Sequence, residues 1–279
     1  MNTENLIRHG SKILKRNDIK TFLLDSELIL SKIMKVSREN LLINNNLTVS
    51  SKIKKQFNKA LKRRAKKEPI AYINKSKEFW SIKFLVSKNT LIPRPETELL
   101  VDEVLKLFNN KAINILDVGS GSGCILLSLL TELRNSRGIG IDISGKAVQV
   151  AKKNSKRLNL FKRSKFYNLS LESFNSGKFD LIVSNPPYIS FKDLKNLSED
   201  IRHFEPSNAL NGGIDGLDLT KKVIYKSKKL LKTNGILAIE IGNNQYIKVS
   251  KTLRKCGFRE IGKVCDISRN VRCIINTKL

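Results

Sequence analysis

The sequence has few of the residues that build metal centres and disulfide frameworks. Its 279 residues include four cysteines and two histidines, and no two cysteines form a C-x-x-C pair. Zinc sites normally need that spacing or further histidine ligands. We therefore expect neither a metal site nor disulfides, and the cysteine usage favours a reducing cytoplasm.

Long apolar runs are also missing. None approaches the roughly 20 residues that are needed to span a bilayer. The polar, charged first residues do not have the pattern of a secretory signal peptide. These absences predict a cytoplasmic protein without a membrane partner.

Acidic residues are scarce relative to basic ones. The chain has 25 Asp and Glu against 53 Lys and Arg, which gives a formal net charge of +28. A charge of this size favours an anionic partner such as RNA or a ribosomal complex. The lysines are spread along the chain, however, so a generally lysine-rich surface also explains the charge. Nucleic-acid contact is therefore open but not required.

Glycine is absent between Gly10 and Gly119, so this half of the chain has few helix breakers. The apolar spacing predicts a small helical domain over residues 1–75. Its role as a substrate-docking domain and a purely packing role both remain open. The alternating segment that follows predicts a β-hairpin connector over residues 76–92, and the last domain then covers residues 93–279.

Local signals place individual elements in these first segments. Asp18 is expected to cap a helix that runs to Met34, and Ser37 to cap a short helix after it. Residues 50–67 form another predicted helix. In the connector, "SKNT" is expected to turn the alternating run "FWSIKFLV".

From residue 113 the pattern changes to alternating strands and helices. The strand-like segments are "INILDVG", "GIGIDIS", "KFYNL", "FDLIVS" and "ILAIEIG". Such alternation predicts a parallel sheet with right-handed crossovers and helices on both faces, which is a Rossmann-like α/β fold. The final segment turns at "DISRN", so we expect an antiparallel hairpin at the sheet edge.

A glycine-rich loop lies between the first of these strands and its helix. Gly119, Gly121 and Gly123 in "ILDVGSGSGCI" allow the backbone to approach a ligand closely, and the following helix start offers free N–H groups. Asp142 ends the next strand, at a spacing that suits hydrogen bonds from ribose hydroxyls. Asp142 has a second interpretation, as the cap of the helix that follows.

The details of the loop favour S-adenosylmethionine over a dinucleotide. Dinucleotide sites have G-x-G-x-x-G, whereas this loop reads G-S-G-S-G. Asp117 precedes the loop, where it would disfavour a pyrophosphate and suit an ammonium or sulfonium group. Cys124 is expected to be a small apolar residue of the helix start, not a nucleophile.

The strand "FDLIVS" ends abruptly in "NPPY", which raises the question of what this end is for. The carboxyl ends of parallel strands form the ligand edge of an α/β sheet. There Asn185 and the Pro186 carbonyl can accept the two hydrogens of a planar –NH2 group, beside the rigid Pro187 and the flat Tyr188. Two acceptors return electron density to a delocalised nitrogen, so methyl transfer needs no strong base. The alternative interpretation of these residues is simply a rigid loop.

Five segments together resemble the release factor glutamine methyltransferase family, also called the HemK or PrmC family. In chain order they are "IPRPETELLVDEV", "ILDVGSGSGCI", "GIGIDIS", "IVSNPPYI" and "FEPSNALNGGIDGLD". The resemblance covers nearly the whole chain. N-P-P-Y is shared with other amine methyltransferases, whereas the first and last of these segments are much more specific to this family.

The resemblance implies a seven-stranded methyltransferase sheet and a transferase active in protein methylation and translation termination. The implied substrate is the glutamine of the G-G-Q motif in peptide chain release factors, methylated on its side-chain amide nitrogen by S-adenosylmethionine. The N-terminal helices would then help to bind the release factor.

The implied site residues follow by motif. Those expected at the cofactor are Gly119, Ser120, Gly121, Ser122, Gly123, Asp142, Ser170 and Asn185. Those expected at the substrate amide are Asn185, Pro186, Pro187 and Tyr188, of which Asn185, Pro186 and Tyr188 are the catalytic candidates.

Two features of the chain leave residue roles open. The family often has an acidic residue after the third strand, near adenine, where this chain reads "FYNLSLESF"; Asn168, Ser170 or Leu171 takes that place. Arg94 and Glu96 either pair to close the cofactor pocket or only stabilise the helix that follows.

Other functions remain as alternatives. A sister enzyme would methylate a glutamine of a ribosomal protein. A nucleic-acid amine methyltransferase would fit the charge, but it predicts a clustered basic recognition domain that the sequence does not show. A noncatalytic RNA- or ribosome-binding protein is disfavoured by the intact motifs, and a dehydrogenase by the glycine spacing. We expect a monomer.

Overall fold

The computed structural model describes residues 2–109 and 111–279, which form two compact units. The first unit ends at Ser76 and also includes Ser198–Phe204. The second comprises Lys77–Leu197 and Glu205–Leu279. In the described residues, no helix is long and apolar enough to cross a membrane.

The first unit is helical. Its helices are α1 (Thr3–Arg16), α2 (Phe22–Met34), α3 (Arg38–Ile43), α4 (Ser51–Ala65) and α5 (Ile70–Asn74). The side chain of Ser37 accepts a hydrogen bond from the Asn40 N–H at the start of α3, as the sequence predicts. Ser50 caps α4 in the same way.

The expected capping role of Asp18 is wrong. Asp18 has a φ of 54°, so it lies in the left-handed turn that follows α1. Helix α2 begins only at Phe22, after Thr21. The sequence signal is ambiguous because Asp favours both N-caps and left-handed turn positions.

The core of this unit forms where α1, α2 and α4 approach one another. Leu6, Leu30 and Phe57 are fully buried in it. Gly10 allows the close approach, because a Cβ there would lie 2.5 Å from the Ser26 hydroxyl oxygen and 2.8 Å from the Phe57 ring.

The second unit begins with a hairpin of two short strands, β1 (Ser76–Phe79) and β2 (Ile82–Leu85). Its turn is formed by Trp80 and Ser81, both at positive φ. The predicted turn at residues 87–90 is present, with the Thr90 N–H donating to the Ser87 carbonyl at 2.9 Å, but it follows β2 and does not join the two strands. Two central residues at positive φ form the hairpin turn whose twist matches that of the strands. No glycine or asparagine marks this turn in the sequence.

The elements that follow alternate as predicted. A short 3₁₀ helix, Pro95–Thr97, leads into α6 (Glu98–Phe108). The remaining α-helices and strands are β3 (Asn114–Val118), α7 (Cys124–Glu132), β4 (Arg137–Asp142), α8 (Gly145–Arg157), β5 (Ser164–Asn168), β6 (Phe179–Ser184), α9 (Glu199–Phe204, in the first unit), α10 (Asp218–Leu230), β7 (Leu231–Glu240), α11 (Tyr246–Lys255), β8 (Phe258–Cys265) and β9 (Val271–Lys278), with two further 3₁₀ helices at Asp193–Asn196 and Ser207–Ala209.

In the described part of the chain these strands form one seven-stranded sheet in the order β5-β4-β3-β6-β7-β9-β8. The first five are parallel to one another, and β9 is antiparallel to β7 and to β8. The side chain of Asp266 accepts from the Asn270 N–H in the turn between β8 and β9. The predicted Rossmann-like sheet with an antiparallel C-terminal hairpin is confirmed.

Apolar residues cover both faces of this sheet. Ile115 and Leu181 point into one core, which α6, α7 and α8 complete, whereas Leu116 and Ile182 point into a second core with α10 and α11. Successive residues of a strand face opposite sides, so continuous apolar runs are what a doubly covered sheet requires.

Gly140 in β4 provides a test of the first core. A Cβ at this position would lie 2.5 Å from an edge carbon of the buried Phe166 ring. We expect Gly140→Ala to lower the free energy of unfolding by about 1–3 kcal/mol, because the well-packed ring must shift. Gly262→Ala in β8 is the matched control, since its Cβ would have no neighbour closer than 3.8 Å, and a change within about 0.5 kcal/mol is expected. Equal effects of the two substitutions in chemical denaturation would contradict this packing.

Candidate active site

The ends of three adjacent parallel strands define the site. Val118 of β3 pairs in register with Ser184 of β6, which pairs with Ile239 of β7. The residues that follow these three, namely Gly119, Asn185 and Glu240, therefore lie at one edge of the sheet. This is the edge at which open α/β sheets bind ligands.

The glycine loop makes a cradle at this edge. Gly119 has a φ of +75° and Gly121 a φ of +54°, and a Cβ added to either would meet no atom closer than 4.0 Å. Gly123 is different, because its Cβ would lie 3.0 Å from the Phe166 ring. The first two glycines thus leave an open surface for a ligand, and the third allows helix and sheet to pack.

The loop is held together by its own hydrogen bonds. The N–H groups of Gly119 and Ser120 both donate to the Ile141 carbonyl, at 2.9 and 3.0 Å. The side chains of Ser120 and Ser122 are buried, and their hydroxyls lack a partner among the described residues. The contribution of these residues to a cofactor site is therefore the shape of the backbone.

Asp142, at the end of β4, holds the glycine loop by a hydrogen bond. One of its carboxylate oxygens accepts from the Gly121 N–H and the other from the Ser144 N–H, each at 2.8 Å. Burial raises the pKa of this carboxyl, and the two N–H groups oppose the rise. Ser144, not Asp142, caps α8 by accepting from the Ala147 N–H. Asp142 lines the cavity and retains lone pairs for a ribose.

Asp117 is a buried carboxylate without a partner. It is 1% exposed, and neither oxygen has a hydrogen-bond partner in the described structure. Burial raises its pKa to about 7, the Leu126 backbone opposes the rise, and the nearby Asp142 carboxylate adds to it. A buried, unpaired anion is costly, and a cationic ligand group close by would offset that cost.

A cavity of about 270 Å³ lies at this edge of the sheet, and Asp117 does not line it. Of the predicted site residues, Gly119, Gly121, Asp142, Asn185 and Pro187 line it. Around them the lining is mostly apolar, and it includes Leu91, Ile141, Ile143, Leu169, Leu171 and Leu219. A nucleoside needs this combination of an apolar slot for its base and a carboxylate for its sugar.

Ser170 does not line this cavity. Its hydroxyl pairs with Ser173 within a turn, at 3.0 Å. Leu169 and Leu171, on either side of it, line the apolar wall instead. The Asn168 amide donates to the carbonyls of Asp142 and Ile143, so Asn168 fixes the loop after β4.

Asn185 is positioned by the 3₁₀ helix that precedes α6. Its amide nitrogen donates to the Thr97 hydroxyl at 3.1 Å. With the nitrogen so engaged, the amide oxygen is left to accept a hydrogen bond in the cavity. No hydrogen bond to the Pro186 carbonyl is present within residues 2–109 and 111–279. Pro186 itself is buried and does not line the cavity, whereas Asn185 and Pro187 do, so the pair of acceptors for a primary amide stays a prediction.

Tyr188 is held from two sides. Its carbonyl accepts from the Gln245 side chain at 2.9 Å, and its hydroxyl accepts from the Arg272 guanidinium at 3.3 Å. Arg272 also stands over the ring, 5.7 Å from its centre. Burial raises the pKa of Tyr188. Tyr188 does not line the cavity, so it supports the loop in this arrangement.

Glu240 was not singled out by the sequence. It ends β7 with no exposed surface, and both oxygens lack a hydrogen-bond partner in the described structure. A carboxylate at the end of an otherwise apolar core strand, in "ILAIEIG", is the signal that could have identified it.

Arg94 does not pair with Glu96. Its guanidinium binds the buried carboxylate of Glu205, which also accepts from the Ile92 N–H at 3.1 Å. Glu205 lies in the "FEP" part of the last family motif. The sequence could not show that Arg94 is its partner, because the two residues lie 111 positions apart.

Comparison with known proteins identifies the class first. Residues 109–272 match the family model "Methyltransferase domain". Among solved structures, the hMettl16 catalytic domain in complex with MAT2A 3′UTR hairpin 6 is similar with a TM-score of 0.57 at 19% identity, over 70% of this chain and 74% of that one. A methyltransferase from Pyrococcus furiosus gives a TM-score of 0.53 at 16% identity, over 70% and 88%. The fold and the matched domain are those of a methyltransferase, whose cofactor is S-adenosylmethionine.

The family is narrower than the class. Residues 5–74 match the model "PrmC N-terminal domain". Release factor glutamine methyltransferase of Caulobacter vibrioides is 38% identical over 257 residues, which are 91% of this chain and 89% of that protein. The protein of the same name from Buchnera aphidicola subsp. Acyrthosiphon pisum is 39% identical over 278 residues, 100% and 99% of the two chains. The chain belongs to the release factor glutamine methyltransferase family, as its motifs predict.

The residues at the sheet edge fit S-adenosylmethionine. The unpaired Asp117 carboxylate suits the cationic part of the cofactor, the open cradle at Gly119 and Gly121 admits it, and Asp142 suits its ribose. A phosphate-bearing cofactor would meet two carboxylates here.

Asp117 makes the site sensitive to pH. Its pKa is about 7 in the folded protein against an ordinary 3.8, so folding takes up a proton between these values and stability falls as the pH rises through them. We expect Asp117→Asn to reduce this fall between pH 4 and 7, as measured by denaturation without cofactor, while Glu240, whose pKa burial also raises to about 7, keeps its own share of the fall. In calorimetry, cofactor affinity of the unmodified protein should rise over the same range, and the variant should bind more weakly with little pH dependence. A variant with unchanged pH slopes in both measurements would show that Asp117 does not titrate here.

Proposed function

We propose that this protein methylates the side-chain amide nitrogen of the glutamine in the G-G-Q motif of peptide chain release factors. The observation that carries the proposal is the Asn185 amide, whose nitrogen is held by Thr97 and whose oxygen is left to accept a hydrogen bond at the sheet edge, beside the glycine cradle. The Pro186 carbonyl is the second acceptor that we propose. The names of the relatives supply the substrate, and the site supplies the chemistry.

The chain's own residues divide into two sets. Gly119, Gly121, Asp142 and Asp117 would hold the cofactor, which supplies an electrophilic methyl group when it is bound. Asn185 and Pro186 would hold the substrate amide, with one N–H bonded to each oxygen. Pro187 completes the wall of the cavity, and Tyr188, fixed by Gln245 and Arg272, supports the loop.

These acceptors address the weakness of an amide as a nucleophile. The amide lone pair is delocalised into the carbonyl, and two hydrogen bonds to the amide hydrogens return part of that density to nitrogen. Fixed acceptors in a partly buried site are already oriented when charge develops on the nitrogen, so little reorganisation is needed. The nitrogen loses its proton as the N–C bond forms, so no strong base must act beforehand.

The first compact unit, with its match to "PrmC N-terminal domain", is the part we propose to bind the release factor outside the G-G-Q loop. Ser170 as an adenine contact, a monomeric state and a cytoplasmic location stay predictions. Nucleic-acid contact through the basic surface also stays open.

Asn185→Ala tests the proposal. We expect labelled S-adenosylmethionine to transfer its methyl group to the G-G-Q glutamine of a purified release factor, with the position mapped by mass spectrometry. The variant should lose at least about 100-fold in rate, because one of the two oriented acceptors is gone. Asn135→Ala, at an exposed position outside the site, is the control and should keep full activity.

The distribution of label distinguishes the alternatives. Label on a ribosomal protein instead would keep the chemistry and change the substrate. Label on RNA that is removed by nuclease and resists protease would indicate an amine of a nucleic acid. No transfer to any of these would refute the proposed activity.

A further inference from the structure

Three elements meet behind the Asn185 amide. Thr97 of the 3₁₀ helix accepts from the Asn185 nitrogen, and Thr97 is itself 2% exposed. Glu240 follows Ile239, the register partner of Ser184, so it stands beside Asn185 on the adjacent strand. Arg272 of β9 lies 4.0 Å from the Glu240 carboxylate. A buried ionisable group thus sits directly behind the residue that is proposed to hold the substrate.

The hydrogen-bond directions follow from the chemistry of these groups. A carboxylate can only accept, whereas a hydroxyl has one hydrogen to donate. The Glu240 oxygens make no hydrogen bond in the described structure, but the Thr97 hydroxyl is close enough to Glu240 to lower its pKa. When the Thr97 hydrogen turns to Glu240, the Thr97 oxygen can only accept from Asn185. The Asn185 nitrogen must then face Thr97, and the oxygen must face the cavity. Without the carboxylate, the hydroxyl can turn and donate to Asn185, and the opposite orientation of the amide becomes equally good.

We propose that Glu240 is a positioning residue for methyl transfer, whose carboxylate directs the Thr97 hydroxyl and thereby holds the Asn185 amide with its oxygen toward the substrate. This inference rests on the proposed function for the identity of the substrate, whereas the Asn185–Thr97 hydrogen bond is present in the structure. Thr97 is a positioning residue in the same way. Neither residue touches the substrate, and both act through Asn185.

The groups around Glu240 set its pKa, and thereby the pH range in which it can position the Asn185 amide. Burial raises the pKa of Glu240 to about 7, the Thr97 hydroxyl and Arg272 oppose the rise, and Glu96 adds to it. Other groups face it from the neighbouring elements: Asn185 and Tyr188 from the β6 end and Cys273 beside Arg272 on β9. The carboxylate form therefore dominates above about pH 7, and the productive amide orientation is favoured on that side.

Nuclear magnetic resonance tests the hydrogen-bond chain without any substrate. In ¹⁵N-labelled protein, the Asn185 side-chain resonances, assigned by their absence in Asn185→Asp, should shift between pH 5.5 and 8.5 with a midpoint near 7. Glu240→Gln has nearly the same shape and no titration, so it should abolish this shift. Thr97→Val should abolish it as well, and Thr97→Ser, which keeps the hydroxyl, should retain it. An Asn185 shift that is unchanged in Glu240→Gln refutes the inference.

Kinetics with a release factor give the second readout. At pH 8, Thr97→Val and Glu240→Gln should each lower kcat about tenfold, the size expected when one positioning hydrogen bond is lost. Their KM for S-adenosylmethionine should stay near that of the unmodified protein, and Thr97→Ser should restore kcat. Glu240→Gln should also lose the rise of kcat through pH 7 that belongs to Glu240.

Failure of the proposed function and failure of the inference about Glu240 give different results. An unmodified protein that leaves the release factor unmethylated overturns the proposed function, while the resonance titration still decides the role of Glu240. An active unmodified protein whose Glu240→Gln variant has the same kcat and pH profile overturns the inference alone. Thermal unfolding of each variant separates a lost fold from a misdirected amide.

Discussion

The parallel pairing of β6 between β3 and β7 is the constraint on which the site depends. Because their registers match at Val118, Ser184 and Ile239, the chain leaves the sheet at three neighbouring points on one edge. A shift by one residue would turn the apolar side chains of β6 to the opposite faces and move Asn185 away from the glycine cradle. The two hydrophobic cores that hold this register therefore also set the geometry of the chemistry.

This arrangement buries two carboxylates, and burying each of them costs free energy of folding. Asp117 and Glu240 are both fully buried, and both lack hydrogen-bond partners in the described residues. The two differ in what surrounds them. Asp117 precedes the glycine cradle, where a bound cation would offset its charge, whereas Glu240 has the permanent guanidinium of Arg272 nearby. The first carboxylate would thus be stabilised by binding, and the second is partly stabilised by the fold itself.

The sequence revealed the parts whose signals are local. Strand and helix alternation, the glycine loop, Asp142 and "NPPY" are contiguous or evenly spaced, and periodicity predicts them. The pairs that complete the site are not local: Arg94 with Glu205, Asn185 with Thr97, and Tyr188 with Arg272 join segments far apart in the chain. The hairpin turn at Trp80 and Ser81 was not predicted for another reason, because neither residue type usually adopts positive φ.

The strand order β7-β9-β8 has a consequence for synthesis on the ribosome. Strand β8 is made before β9 but lies outside it, so no partner for β8 exists until β9 has been inserted against β7. Arg272, which holds Tyr188 and faces Glu240, arrives with that insertion. A nascent chain can therefore build the five parallel strands and the glycine loop early. It acquires the support of its "NPPY" loop only when residue 272 has left the exit tunnel.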